Sequence, residues 1–227
     1  MIELRNVSTI YEGEQIPTLS QVSLSIGKGE FAAIVGPNGA GKTTLLETIN
    51  GLLKSTGDIS IMGMNLTEQG IEIRKRTGYV PQEFTCDSLT PFLVKDVILM
   101  GRFGKIGVLK SPSRADHDIV KKTAHFLSIS QLLETPVGKL SGGQLQKVMI
   151  ARALATEPDI LLLDEPFSNL DMKSRADLSE KLSSLNEKGL TIIMVIHDRS
   201  AIPLSCRRII TVDAGRIVSD KSLPQVM

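Results

Sequence analysis

Apolar residues first alternate with polar ones along this chain and then run together, and the change separates two kinds of strand. Ile2, Leu4 and Val7 nearly alternate, and Val22, Leu24 and Ile26 alternate strictly, which predicts strands with one face on a core. Phe31-Ala32-Ala33-Ile34-Val35, Ile160-Leu161-Leu162-Leu163 and Thr191-Ile192-Ile193-Met194-Val195 are unbroken apolar runs. Runs this short and continuous fit strands covered on both faces, as in a parallel sheet. Residues 58–61 and 78–80 are further strand candidates, and 208–212 with 216–218 predict a hairpin around Ala214-Gly215.

Elsewhere the spacing is helical. Leu45, Leu46, Ile49, Leu52 and Leu53 share one face, as do Leu178, Leu182 and Leu185. Ser113 is placed to cap a helix carrying Ile119, Val120, Ala124 and Leu127, and Ser141 one carrying Leu145, Val148 and Met149. Residues 83–156 are mainly helical in pattern, whereas strand and helix alternate on either side. The chain therefore reads as one α/β domain, with a core lobe of 1–82 and 157–227 and a helical lobe of 83–156 inserted into it.

A length of 227 residues suits a single domain. A net charge of +1 leaves no broad basic field, and no nucleic-acid partner is expected. Cys86 and Cys206 are far apart without a partner motif and read as two reduced thiols. No apolar run is long enough to span a bilayer, and the first residues do not form a signal peptide. Work at a membrane would need another chain to hold this one there.

Between the strand ending at Val35 and the helix beginning near Lys42 lies Gly36-Pro37-Asn38-Gly39-Ala40-Gly41-Lys42-Thr43, the full phosphate-loop pattern in its proper strand–loop–helix setting. Glycines let the backbone curl so that several N–H groups face one anion, and the helix N-terminus adds its dipole. Lys42 can reach the outer phosphates, Thr43 can place a hydroxyl on Mg²⁺, and Thr44 stands beside it. The apolar run 160–163 ends in Asp164-Glu165, where a parallel sheet binds its ligands. Two adjacent acids alone read as a solvated strand end. Beside a phosphate loop, Asp164 is a Mg²⁺ holder and Glu165, expected on the other face of the strand, a base for the attacking water.

Leu140-Ser141-Gly142-Gly143-Gln144 resembles the signature motif of the ABC ATPases, and the family's other elements follow the right order. Gln82 in Tyr79-Val80-Pro81-Gln82 resembles the Q-loop glutamine, which serves catalysis and the metal. Ser168-Asn169-Leu170-Asp171 resembles the D-loop, His197 the switch histidine, and Tyr11 the aromatic that stacks on adenine. The resemblance covers about Met1 to Val218. It implies a P-loop NTPase core with an antiparallel β subdomain and an inserted α-helical subdomain, ATP and Mg²⁺ as cofactors, and ATP hydrolysis. It also implies a head-to-tail dimer with a second copy or a paralogous cassette, in which Ser141 and Gly143 of one chain close over the γ-phosphate held by the other. The implied partners are an integral membrane permease and, through it, a substrate-binding protein; the implied location is the cytoplasmic face of the cell membrane.

The stretch Leu89 to Arg102 is similar to the segment after the Q-loop in importers of metal ions, iron chelates and cobalamin. Two departures stand out: Pro91-Phe92-Leu93-Val94 replaces the usual proline, leucine, threonine, valine, and Lys147 stands where arginine is common. No sequence past the closing hairpin matches the C-terminal regulatory domain of some sugar or methionine importers, so feedback through one is not expected. The alternative is a soluble ABC-type ATPase of an assembly system, such as iron–sulfur cluster building. Asp116-His117-Asp118, Lys121-Lys122 and Arg207-Arg208 read as solvated surface, and Met62, Met64, Met100 and Met149 as core filler.

Overall fold

The computed structural model describes residues 1–11, 13, 16–82, 84, 87, 90–197 and 201–223. Six strands form the larger sheet: β3 (Phe31–Val35), β6 (Thr77–Val80), β7 (Ile160–Asp164), β8 (Thr191–Val195), β9 (Arg208–Asp213) and β10 (Arg216–Ser222). Their order is β10-β9-β3-β8-β7-β6, parallel except for the antiparallel edge strand β10. A smaller antiparallel sheet, ordered β2-β1-β4-β5, contains β1 (Ile2–Thr9), β2 (Leu19–Ile26), β4 (Ser55–Ile61) and β5 (Met64–Asn65).

The strand period of two divides the apolar runs between two cores. Ala32, Ile34, Ile160, Leu162, Ile193 and Val195 point into a core shared with the antiparallel sheet and with α1 (Lys42–Ile49). Phe31, Ala33, Leu161, Leu163, Ile192 and Met194 point the other way, against α3 (Val94–Met100), α5 (Arg114–Phe126), α6 (Gly142–Ala155) and α7 (Met172–Glu187). One apolar cluster thus runs from the helical segment through α6 into the sheet. The described residues also include α2 (Leu66–Arg74), α4 (Phe103–Ile106) and two single 3-10 turns at Ser130–Leu132 and Val137–Lys139. No described helix is long and apolar enough to cross a membrane.

Helix starts follow their caps. Ser113 and Ser141 each form a reciprocal capping box, with Asp116 and Gln144 respectively. Several sequence expectations need correction. Helix α1 stops at Ile49, because the Leu52 N–H closes on the Glu47 carbonyl and the Gly51 N–H on that of Thr48. Leu52 is consequently exposed rather than on the core face. Helix α2 gives little sequence pattern: only Leu66 and Ile73 are buried, a kink falls at Gln69, and its start depends on the Asn65 side chain accepting from the Thr67 and Glu68 amides.

Asp116 is not solvated. It is covered by the groups that bond it, and hydrogen bonds from Ser113, followed by the Arg102 guanidinium, hold its carboxyl down to about 2. Arg102 also donates to Ala155 O and Glu157, joining the end of α3 to the start of α5 and the end of α6. Cys86 lies outside the described residues; Cys206 is a free buried thiol, and burial raises its pKa.

Arg208 is not solvated either. Its Nε and Nη2 grip both Asp220 oxygens at 2.6 Å, and its Nη1 donates to Glu30 and to Ser25 O at 2.8 Å. The side chain therefore ties the closing hairpin to β2 and to the entry of β3. Arg208→Ala is expected to lower stability by about 1–2 kcal/mol, after discounting for solvent at Asp220; urea unfolding followed by circular dichroism reads the change. The Arg208 hydrogen bond holds the Asp220 carboxyl below its usual pKa. This contribution is complete above about pH 4 and is lost as pH falls through the lowered value, so the variant should also lose that acid-side dependence.

Candidate functional site

The cleft forms where β3, β6 and β7 end beneath the N-terminus of α1. It holds about 280 Å³ and is lined by Thr18, Asn38, Gly39, Gly41, Lys42, Thr43, Thr44, Gln82, Glu165 and His197. The loop from Gly36 to Gly41 can lie here because its backbone presses against β9: a Cβ on Gly36 would sit 2.0 Å from Val212 O. The Ala40 carbonyl accepts from Gly215 N at 3.0 Å, fixing the loop to the closing hairpin. Pro37, Asn38 and Gly39 form its exposed crest. Helix α1 has no side-chain cap and no acid in its first turn. Its leading amides and positive dipole end are therefore available to an anion. Lys42 is buried, and its ammonium donates to Gly36 O at 3.1 Å and Pro37 O at 2.8 Å, holding the positive charge inside the loop.

Asp164 lies at the end of β7 with 0% exposure, and neither carboxylate oxygen has a hydrogen-bonding partner. Burial raises its pKa. The Thr43 hydroxyl lies near enough to oppose that rise without reaching hydrogen-bond geometry, while the Glu165 and Glu47 charges add to it. A buried carboxylate without a partner is costly, and its presence under a phosphate loop calls for a cation or water there. The described residues contain no group of three His, Cys, Asp or Glu side chains able to hold a metal by themselves. The donors present (a carboxylate, a hydroxyl and the Gln82 amide) are oxygen ligands of the kind Mg²⁺ takes alongside phosphate.

Glu165 does not reach its position by strand alternation. The strand stops at Asp164, and Glu165 adopts a left-handed φ of 49°, its N–H bonded to Val195 O at 3.1 Å. This turn aims its side chain at the cleft, where Oε1 accepts from His197 Nε2 at 2.6 Å. A non-glycine residue held there costs about 1–3 kcal/mol and clusters at functional sites. His197 follows β8, is partly exposed and lines the cleft.

The signature stands apart from this cleft. Ser141, Gly142 and Gln144 are exposed at the start of α6, and none of them, nor Gly143 or Asp171, lines the phosphate cleft. Ser141 Oγ accepts from Gln144 N, leaving its O–H free to donate, while Gln144 Oε1 accepts from Ser141 N. Gly143 packs on the Asn169 backbone, where a Cβ would lie 2.9 Å from the carbonyl oxygen. Asp171 caps α7 by accepting from the amide and hydroxyl of Ser174, bonds that lower its pKa. Tyr11 directs its hydroxyl onto α1, 3.0 Å from Glu47 Oε2 and 3.2 Å from Thr44 Oγ1.

Thr18, Glu47 and Tyr79 were not singled out from sequence. Thr18 follows no motif, and the connection before it gives no pattern. Glu47 was detectable, since Thr44, Glu47 and Thr48 make a polar stripe at helical spacing beside the apolar Leu45, Leu46 and Ile49. The Tyr79 phenol is buried without a hydrogen-bonding partner, and burial, followed by the Glu47 charge, raises its pKa.

A profile of the family described as ABC transporter matches residues 19–168. The manganese transport system ATP-binding protein of Bacillus subtilis (strain 168) is 41% identical over 198 residues, 87% of this chain and 77% of that protein. The chelated iron transport system membrane protein of Yersinia pestis is 37% identical over 210 residues, 92% of this chain and 70% of that protein. A dimeric bacterial ABC transporter cassette of known structure superimposes with a TM-score of 0.87 at 33% identity, over 99% of both chains. Its post-hydrolysis state bound to ADP and Pi gives 0.85 at 31% identity, again over 99% of both chains.

If Asp164 is held unpartnered for a ligand's sake, Asp164→Asn should stabilise the nucleotide-free chain by about 1–3 kcal/mol. Thermal unfolding without nucleotide or divalent cation checks this; a lower midpoint would mean that the carboxylate has a structural partner.

Proposed function

This chain belongs to the ABC transporter family as an ATP-binding, ATP-hydrolysing subunit, and we propose that it powers import of a transition-metal ion or its chelate through a partner membrane permease. Kinship with subunits named for manganese and chelated-iron transport, extending over most of the chain, carries the substrate reading. It also disfavours the assembly-system alternative. The permease would hold the chain at the cytoplasmic face of the cell membrane and would link it to an external substrate-binding protein.

In the chemical reading, the amides of Gly39, Gly41, Lys42 and Thr43 cradle the phosphates, and Lys42 turns from its own loop carbonyls to the outer phosphates. Gly36, Pro37, Asn38 and Ala40 shape that loop, Thr44 extends its wall, and Tyr11 stacks on the adenine. Mg²⁺ fits the site, held by the Thr43 hydroxyl, Gln82 and the otherwise unpartnered Asp164, and it would neutralise phosphate charge. Glu165, aimed by its left-handed turn, accepts a proton from the attacking water. His197 holds the Glu165 carboxylate and presents its remaining edge to the γ-phosphate.

One chain supplies only half of each such site. Ser141, Gly142, Gly143 and Gln144 are absent from its phosphate cleft yet form an exposed helix start with a free hydroxyl donor. A second cassette, packed head to tail, brings this group over the nucleotide, and Asp171 keeps residues 168–171 in register beneath it. Closure then depends on the γ-phosphate, and its loss on hydrolysis reopens the pair.

Glu165→Gln should keep ATP affinity, lower turnover by about 10²–10⁴-fold and accumulate as an ATP-bound dimer on gel filtration. Wild-type turnover in that variant would place the base elsewhere. The transport reading is tested in source cells lacking the chain. Their manganese, iron and zinc contents should fall for the cognate metal and be restored by the wild-type chain but not by Glu165→Gln. Unchanged contents of all three, with normal ATPase activity in vitro, would remove the metal assignment alone.

A further inference from the structure

Helix α1 does more than present the phosphate loop. Thr44 and Glu47 lie one turn apart on it, so their side chains emerge on the same face, and both reach the Tyr11 hydroxyl. That hydroxyl has a single proton, donated to Glu47 Oε2 at 3.0 Å. The 3.2 Å contact with Thr44 Oγ1 must then run the other way, with the threonine donating and the phenol oxygen accepting. The result is a directed chain from Thr44 through Tyr11 to a carboxylate, and the bond to the charged end is the stronger type.

We infer that Glu47 is a positioning residue for nucleotide recognition: with Thr44 it locks the Tyr11 ring to the helix that carries the phosphate loop. The inference rests on the proposed stacking of Tyr11 on adenine. Thr44 is nearly fully buried and lines the phosphate cleft, so one end of the chain is part of the cleft wall. Tyr11 follows the end of β1 and is half-buried, and these two bonds tie its hydroxyl to α1. Fixing the ring before the base arrives removes an ordering cost from binding, an advantage that acts on the base and not on the phosphates.

The test compares ligands with and without the base. Full-length wild type, Glu47→Ala, Glu47→Gln and Tyr11→Phe are titrated with ATP, ADP and inorganic tripolyphosphate by calorimetry, and KM and kcat for ATP are measured. Glu47→Ala should weaken ATP and ADP binding by roughly three- to tenfold and leave tripolyphosphate unchanged. KM should rise by a similar factor, with a smaller change in kcat. Glu47→Gln keeps an oxygen that accepts the phenol proton and should bind ATP nearly as wild type does. Tyr11→Phe, which keeps the ring, should match Glu47→Ala, and the double variant should lose nothing further. An equal loss for tripolyphosphate, additive losses in the double variant, or unchanged ATP affinity in both Glu47→Ala and Tyr11→Phe would overturn the inference. Tyr11→Ala tests the stacking separately. If it binds ATP as wild type does, the stacking reading fails; if it loses affinity while Glu47→Ala is silent, only the positioning role fails.

Discussion

A carboxylate with neither solvent nor a hydrogen-bonding partner, Asp164, sits at the end of strand β7, and the cleft is organised around it. The surrounding structure, α1 included, shuts it off from bulk solvent. Such a group persists only when a larger packing gain surrounds it. Here that gain is the apolar core beneath α1, with Leu45, Leu46 and Ile49 against Ile160, Leu162 and Ile193. The same packing holds the phosphate loop one layer above the carboxylate, so the acid and the loop's positive end cannot move independently. Folding thus leaves a buried electrostatic demand at the foot of the phosphate loop.

Backbone turns at strand ends then sort the chemistry. Asp164 stays in the strand and points toward α1, while the left-handed turn at Glu165 sends the next carboxylate toward His197 and the open side of the cleft. Two adjacent acids therefore occupy different environments: one sealed and cation-seeking, the other hydrogen-bonded and accessible to water. On the far side, α6 joins the exposed signature to the sheet, packing near β6 at its C-terminal end. The Arg102 bonds to Asp116, Ala155 O and Glu157 fasten that end to α3 and α5. The helices after Gln82 are thus tied to the C-terminal end of α6.

The chain's own sequence determined most of the elements and the motifs they carry. Continuous apolar runs predicted the parallel strands, because a strand covered on both faces has no polar side to show. The phosphate loop, the two acids, the signature and the capping serines were all legible, since each depends on residues adjacent in the chain. Only the tertiary structure decided which of them meet. The local turn at Glu165 overrode the strand alternation expected from the pattern, and Asp116 and Arg208, solvated by local reading, found partners far away in sequence. The separation of Ser141 from the phosphate cleft, the bond from Tyr11 to Glu47 and the isolation of Asp164 also come from long-range packing. Periodicity records which face of an element is buried, whereas a polar contact depends on the angles at which distant elements cross, and those are set by the whole core at once.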